Sequence, residues 1–262
     1  MELTGVHNPL VKAAADLKQK KHRQQQGLFL AEGLRTVEEA VAAKAAASIF
    51  YTPIEDQRTR AVLEAAAAAN VRLYCVNEAV MKKIADTDSP QGIVATCPLQ
   101  KTTLEDLLAT GKMLLVLDRV GDPGNLGTML RTADAAGIGG VVLLKGSVDI
   151  YSPKAVRSSM GSLFHVPVVA GLDEAAFIRE AQRSGYQLLV TSLEGADNLY
   201  KADLSGRIAF VMGNEANGVS RELLAAADKR VYIPMEGRAE SLNVAMAAGI
   251  VMFEALRRSL GK

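Results

Sequence analysis

Short apolar segments separated by helical stretches dominate the second half of the chain, and this alternation constrains the fold most strongly. The apolar segments lie at residues 113–118, 141–144, 187–191, 208–212 and 230–233. A continuous apolar run of this length is typical of a strand that is buried on both faces. Helices between successive strands supply the long crossovers that parallel pairing needs. The pattern therefore predicts an α/β fold with a parallel sheet covered by helices.

The first hundred residues have an α/β pattern of their own. Helical and strand-like segments alternate there, at residues 10–24, 28–31, 34–47, 49–52, 58–69 and 71–76. A proline and several polar residues follow, as is typical of a linker. The sequence predicts a small N-terminal α/β domain at 1–98, a linker at 99–110 and a second domain at 111–262.

The composition disfavours several classes of protein. The formal net charge of the 262 residues is +1, so nucleic-acid contacts would need a local cluster of basic residues. The two cysteines form no CxxC and the three histidines are scattered, which argues against a disulfide framework and a metal site. We see no signal-peptide core and no apolar run of the roughly 18 residues that a membrane span needs. We therefore expect a cytoplasmic protein.

A polar stripe follows the first strand of the second domain. Asp122 and Pro123 predict a helix start, and the apolar face of that helix is formed by Leu126, Met129, Leu130 and Ala133. Asn125, Thr128 and Arg131 fall on the other side. A stripe that contains one guanidinium thus begins at the carboxyl end of a strand, where open α/β sheets bind ligands. Taken alone, Arg131 is better explained as a surface arginine.

This segment differs from the common nucleotide-binding motifs. Its glycines at 121, 124 and 127 do not have the GxGxxG spacing, and no acidic residue ends the next strand. The sequence also contains no GxxxxGK[ST] motif. A nucleotide-dependent oxidoreductase on a similar sheet remains an alternative, with these absences against it.

Two later strands also run into polar loops. One enters the segment 213–218, GNEANG, where glycines let a ligand approach the backbone closely. The other leads through Pro234 to Ser241, Leu242 and Asn243, with Ser241 a plausible N-cap for the next helix. That helix has no charge over residues 244–253. A helix that is apolar all round is buried on more than one side, by the core and by a partner subunit.

Together the three segments resemble the motifs of SpoU (TrmH-like) RNA ribose 2′-O-methyltransferases of the SPOUT class. The family's N-x-G-x-x-x-R, G-N-E-x-x-G and S-L-N motifs correspond here to Asn125–Arg131, Gly213–Gly218 and Ser241–Asn243. The first hundred residues resemble the family's RNA-binding domain through FLAEGLRTVEEAV and SPQGIVA. The resemblance implies methyl transfer from S-adenosylmethionine to a ribose 2′-hydroxyl.

The resemblance also implies a deep trefoil knot in the second domain, although knotted chains are very rare. The cofactor would be bent inside the knot and held mainly by backbone groups. In this sequence those groups belong to Thr191, Gly213, Ile233 and Leu242.

For catalysis, the resemblance gives Arg131 the central role. Because a guanidinium stays protonated in proteins, we expect it to stabilise the developing alkoxide or hold a phosphate. Asn125 would hold Arg131 or the ribose. Glu215, Ser241 and Asn243 would orient these groups or their loop.

Basic residues near the N-terminus predict phosphate contacts, with a solvated helix face as the alternative. They are Lys18, Lys20, Lys21 and Arg23. Large-subunit (23S) ribosomal RNA is the favoured substrate. A tRNA methyltransferase and a non-catalytic RNA-binding or ribosome-assembly protein on the same fold are the alternatives. We also expect a homodimer built through the C-terminal domain.

Overall fold

The structure is a computed structural model that describes residues 2–53, 56–192 and 195–261. Within these ranges the helices are α1 Pro9–Asp16, α2 Lys20–Gln26, α3 Leu34–Ala42, α4 Gln57–Ala68, α5 Glu78–Ile84, α6 Leu104–Ala109, α7 Pro123–Ala135, α8 Pro153–Ser158, α9 Glu174–Arg183, α10 Arg221–Ala226 and α11 Val244–Ser259. The strands are β1 Glu2–Leu3, β2 Leu28–Glu32, β3 Ser48–Tyr51, β4 Arg72–Val76, β5 Ile93–Pro98, β6 Leu114–Leu117, β7 Gly140–Leu144, β8 Val168–Leu172, β9 Gln187–Thr191, β10 Asp197–Asn198, β11 Ile208–Met212 and β12 Lys229–Tyr232. A short 3₁₀ helix spans Ser162–Phe164.

The chain folds into two compact units. The first unit combines the residues up to 100 with 149–165, and the second combines 101–148 with the residues from 166 onward. The sequence placed 149–165 in the second domain, so the observed grouping differs there. The reason is packing: the ring of Phe29 lies 4.9 Å from that of Tyr151 and 6.0 Å from that of Phe164, measured between centroids.

The first unit is built on a mixed sheet with the strand order β1-β4-β3-β5-β2, in which β5 runs antiparallel to β2 and β3. Helices α1 and α5 pack together over a buried cluster that includes Val11, Leu17, Met81 and Ile84. The predicted single helix 10–24 is wrong. It is two helices separated by a turn, in which Leu17 is buried as part of this cluster.

The second unit is built on a sheet with the order β10-β12-β9-β11-β6-β7-β8, and all of its strand pairs are parallel. The predicted parallel sheet is confirmed. The residues of β6 and β11 are almost wholly buried, as expected for strands covered on both faces. Because β12, β9, β11 and β6 are neighbours, their carboxyl ends form one continuous edge, and the polar segments of the sequence follow these ends.

In the part of the chain that the structure describes, no helix is long and apolar enough to cross a membrane. Of the two cysteines, Cys97 is fully buried, and its burial raises the pKa of the thiol. Cys97 therefore packs as a small apolar side chain.

Candidate functional site

The polar stripe lies on α7, which begins as the sequence predicted. The Asp122 side chain caps the helix by accepting the N–H of Asn125 at 2.7 Å, and Pro123 occupies the first turn. The predicted apolar face is fully buried; it consists of Leu126, Met129, Leu130 and Ala133. Arg131 is exposed, and among the described residues it has no hydrogen-bond or ion-pair partner. Its guanidinium is therefore available to an external anion.

Three side chains, one from each sequence motif, form a continuous hydrogen-bonded chain. Asn243 donates its Nδ2 hydrogen to Oδ1 of Asn125 at 3.1 Å. Asn125 in turn donates from Nδ2 to Oε1 of Glu215 at 3.0 Å. These residues are 118 and 90 positions apart in sequence, so the fold brings all three motifs to one place.

Asn243 is also the N-cap of α11, because its Oδ1 accepts the N–H groups of Ala245 at 2.9 Å and Met246 at 3.3 Å. The prediction that Ser241 is this cap is wrong. An amide can accept for the helix and donate to Asn125 at the same time. A serine two residues earlier would leave that second contact unmade. Ser241 is exposed instead.

The loop after β11 is shaped by its own backbone. An added Cβ at Gly213 would lie 2.2 Å from the carbonyl carbon of Gly218, so the loop itself excludes a side chain there. The sequence had attributed this glycine to the approach of a ligand, and the internal contact is the stronger constraint. Gly218 has φ +65°, which favours glycine. Asn214 closes the loop by accepting the N–H groups of Ala216 and Asn217.

Asp118 and Arg119, which the sequence analysis did not single out, hold both ends of this loop. The Asp118 carboxylate is buried and accepts the N–H of Ser220 at 2.8 Å. It also accepts two bonds from the guanidinium of Arg119, at 2.9 and 3.0 Å. The carbonyl of Arg119 accepts from the Asn214 side chain at 2.8 Å. An acidic residue at a strand end, directly before the stripe, is the signal that could have found them.

A cavity of about 660 Å³ opens beside this loop. The ends of β9, β11 and β12 and the start of α11 form its wall, which contains all the predicted cofactor residues: Thr191, Gly213, Ile233 and Leu242. Glu215, Ser241 and Asn243 line it as well. The Thr191 hydroxyl donates to the carbonyl of Val211 at 3.1 Å. The volume is in the range of small-molecule and cofactor sites.

The predicted phosphate-binding residues of the first unit separate into two groups. Lys20 and Lys21 are exposed. Lys18 donates to the carbonyls of Lys83 and Ala85 at 2.8 and 2.9 Å. Arg23 is buried, pairs with Asp149 at 2.6 Å and donates to two backbone carbonyls. For Arg23 the prediction of a phosphate contact is wrong, because its guanidinium is buried and already bonded to groups inside the unit.

Within the described residues, no group of three or more His, Cys, Asp or Glu side chains is placed to hold a metal ion. Helix α11 is partly exposed in the single chain, and burial of its exposed side by a partner subunit stays a prediction. Met246 is 62% and Phe253 is 47% exposed, and with Ile250 they fall at a spacing that places them on one face.

Comparison with known proteins covers both units. The model of the SpoU rRNA Methylase family matches residues 112–253. The model of an MRM3-like substrate binding domain matches residues 8–95. The 23S rRNA (guanosine(2553)-2′-O)-methyltransferase RlmP of Bacillus subtilis is 36% identical over 253 residues, which are 96% of this chain and 98% of that protein.

A second relative, the 23S rRNA (guanosine-2′-O-)-methyltransferase RlmB of Ralstonia nicotianae, is 38% identical over 80% of this chain and 86% of its own length. The crystal structure of an AdoMet-bound rRNA methyltransferase from Sinorhizobium meliloti superposes with a TM-score of 0.87 at 36% identity, covering 98% of both chains. With a family model over more than half of its length and relatives above 30% identity over most of it, the chain belongs to the SpoU rRNA methylase family.

Proposed function

We propose that the protein transfers a methyl group from S-adenosylmethionine to the 2′-hydroxyl of a guanosine ribose in 23S ribosomal RNA. The observation that carries this proposal is the hydrogen-bonded chain Asn243–Asn125–Glu215 at the mouth of a cofactor-sized cavity, with Arg131 exposed on the same helix as Asn125. The 23S rRNA substrate is supported by relatives that match this chain in both units. Ribosomal RNA is a cytoplasmic substrate in bacteria, so we place the reaction there.

The cavity fits S-adenosylmethionine in size and chemistry. Ile233 and Leu242 offer apolar walls to an adenine ring, and the ends of β9 and β11 offer backbone N–H and C=O groups that suit its ring nitrogens. The cofactor supplies a methyl group that its sulfonium charge already activates. The protein must then align the ribose and make its hydroxyl a better nucleophile.

Arg131 suits the second task. Its guanidinium keeps its charge and has no internal partner among the described residues. It can therefore stabilise negative charge on the 2′-oxygen or hold the adjoining phosphate. Asn125 already bonds both Glu215 and Asn243, so its amide is fixed in orientation and can position the ribose. The side chain of Ser241 is exposed at the same rim.

The decisive experiment is methyl transfer from labelled S-adenosylmethionine to 23S ribosomal RNA, with the modified nucleotide mapped by its resistance to alkaline cleavage. Arg131→Ala should lower the single-turnover rate by about 10²-fold or more, the size of effect typical of an electrostatic donor, and leave cofactor affinity unchanged. Arg131→Lys keeps the charge without the planar fork and should recover part of the rate. Methylation of tRNA alone, or RNA binding without transfer, would favour the two alternative functions.

We propose that the active form is a homodimer built on α11. An isolated chain leaves about half or more of Met246 and Phe253 exposed to water, and burying such side chains contributes about 1.5–3 kcal/mol each. A two-fold contact would cover this face on both copies. Met246→Glu with Phe253→Glu should give a monomer by light scattering at micromolar concentration. A wild-type chain that is monomeric under the same conditions would contradict the proposal.

We further propose that the segment after β12 is threaded to form a deep trefoil knot, as the family resemblance implies. The support is the construction of the cavity wall, in which three strand ends and the start of α11 surround one space.

A further inference from the structure

The most strongly charged surface of the first unit lies on α1, α2 and α5. With the connecting turn 17–19, these helices carry seven lysines and arginines and only two acids, Asp16 and Glu78. Because the whole chain has a net charge of +1, the remainder of the chain must be net acidic. This concentration is therefore a local feature and does not follow from the composition.

We propose that five exposed lysines on these helices form a phosphate-binding surface that docks the ribosomal RNA backbone. They are Lys12, Lys20, Lys21, Lys82 and Lys83, here called the lysine surface. The proposal deepens the proposed function, on which it rests, by naming where the RNA backbone is held. The lysine surface also includes α5, whereas the phosphate contacts predicted from the sequence all lie before residue 24.

Contacts within the unit hold α5 against α1 and against the turn before α2. Helix α1 packs on α5 through the shared core. The Lys18 ammonium donates to the carbonyls of Lys83 and Ala85 at the carboxyl end of α5. Arg23 donates back to the carbonyls of Leu17 and Lys18. Lys18 and Arg23 are therefore structural residues that fix the turn between α1 and α2. Because Lys18 binds the end of α5, we infer that Lys20 and Lys21, which follow this turn, lie on the same side of the unit as Lys82 and Lys83.

The pairing of charges separates this surface from the other helices of the unit. Three arginines on α3, α4 and α8 are neutralised: Arg35 and Arg58 pair with Glu38, and Arg157 pairs with Glu32 and Asp86. Within the described ranges, Arg60 on α4 stands singly. Among the described residues, the five lysines have no hydrogen-bond or ion-pair partner. Unpaired ammonium groups at this density attract a polyanion, and flexible lysines suit phosphates contacted without regard to base sequence.

The ordinary explanation is that lysines in the last turn of a helix complement its dipole. That explanation fits Lys82 and Lys83, but Lys20 and Lys21 lie in the first turn of α2, where positive charge is unfavourable. Their position therefore needs a different reason, and a polyanionic partner provides one.

The test is the salt dependence of binding to a 23S ribosomal RNA transcript. Two pairs of variants neutralise charge but keep the side-chain stem: Lys20→Gln with Lys21→Gln, and Lys82→Gln with Lys83→Gln. Each real phosphate contact should reduce the slope of log affinity against log salt by about 0.7–0.9. Each pair should therefore lower it by about 1.4–1.8 and the combined variant by about twice as much. Arg60→Gln with Arg72→Gln, exposed in the same unit on α4 and β4, is the matched control and should leave the slope unchanged.

The outcomes are distinct. Wild-type slopes in the Lys82 and Lys83 pair would overturn the surface, as would an equal loss in the control pair. Retained RNA binding with lost binding to phosphatidylglycerol vesicles would overturn it in favour of a membrane partner. If the wild-type protein methylates no RNA but the slopes still fall as expected, the lysine surface stands and the proposed function fails. Thermal unfolding followed by circular dichroism should be unchanged in every variant, which excludes unfolding of the first unit as the cause, and cofactor binding by calorimetry should be unchanged as well.

Discussion

Removing the carboxylate of Asp118 should loosen the loop 213–220 and weaken cofactor binding. In Asp118→Ala the buried N–H of Ser220 loses its acceptor, which costs about 1–3 kcal/mol. The guanidinium of Arg119 also loses two charge-assisted bonds. Because the Arg119 side chain is 45% exposed, water compensates most of that loss. The expected destabilisation is about 2–4 kcal/mol, or roughly 5–12 °C in Tm for a unit of this size.

The same change should also weaken cofactor binding in the cavity, because the loop that Asp118 holds forms part of the cavity wall. If about 1.4 kcal/mol of the lost free energy serves to hold the loop in its binding geometry, the Kd for S-adenosylmethionine rises about tenfold. Calorimetry gives both quantities, from thermal unfolding and from cofactor titration. Asp118→Asn keeps the volume but cannot accept from three donors at once, so it should show most of the effect.

Asp203→Ala is the matched control. Asp203 also accepts a backbone N–H, that of Ser205, but it is exposed and lies outside the cavity wall. It should change neither the Tm nor the cofactor Kd measurably. A reduced Tm with unchanged cofactor affinity in Asp118→Ala would refute the positioning role and leave only a stabilising one. An unchanged Tm would refute the reasoning from burial altogether.

Three further changes test other parts of the structure. Gly213→Ala would place a Cβ 2.2 Å from backbone, so it should cost about 3 kcal/mol or more; Gly121→Ala, which meets nothing within 4 Å, is the control, and equal Tm values for the two would contradict the close approach. Asn125→Asp sets a second carboxylate about 3 Å from Glu215. Two carboxylates this close favour keeping one proton between them, and loss of that proton at higher pH leaves two like charges that repel. The single-turnover rate of Asn125→Asp relative to wild type should therefore be lower at pH 8 than at pH 5, and a constant ratio would count against the contact. The hydrogen bond from Arg257 lowers the pKa of Glu254 to about 2. The folded pKa is thus below the unfolded one, so this stabilisation is present above about pH 4.3 and lost as the pH falls towards 2. The Tm difference between wild type and Glu254→Gln should be full at pH 7 and disappear near pH 2, and a difference that persists there would contradict this.

Much of the second unit was predictable because its determinants are local. Buried parallel strands appear in the sequence as continuous apolar runs. A helix that starts with Asp122 and Pro123 has a side-chain acceptor for its first N–H groups and a φ angle that proline already fixes. The apolar spacing along α7 then fixed which side of the helix faces the core. The polar loops followed from their place at strand ends, which parallel topology gathers at one edge of the sheet.

Other features depend on partners that are distant in sequence. Arg23 looks like its lysine neighbours in the sequence, and only the carboxylate of Asp149, 126 residues away, makes its burial favourable. Residues 149–165 belong to the first unit because the rings of Tyr151 and Phe164 pack against the ring of Phe29. The role of Asp118 depends on Ser220, 102 residues later. Periodicity and spacing contain no information about such pairs.

The N-cap of α11 shows how a site can decide between residues that local rules treat alike. Serine and asparagine cap helices about equally well, so local preference does not distinguish Ser241 from Asn243. A serine hydroxyl can also donate, but asparagine donates from a nitrogen that is separate from the capping oxygen and farther along the side chain, and that nitrogen reaches Asn125. The start of α11 is thereby tied to the polar stripe of α7, and through Asn125 to Glu215 on the loop after β11. An alanine at 243 would lose the cap and the link together, whereas a serine would keep the cap and lose the link. Comparing Asn243→Ser with Asn243→Ala therefore separates helix stability, which only the alanine variant should reduce, from the methyl-transfer rate, which both should reduce.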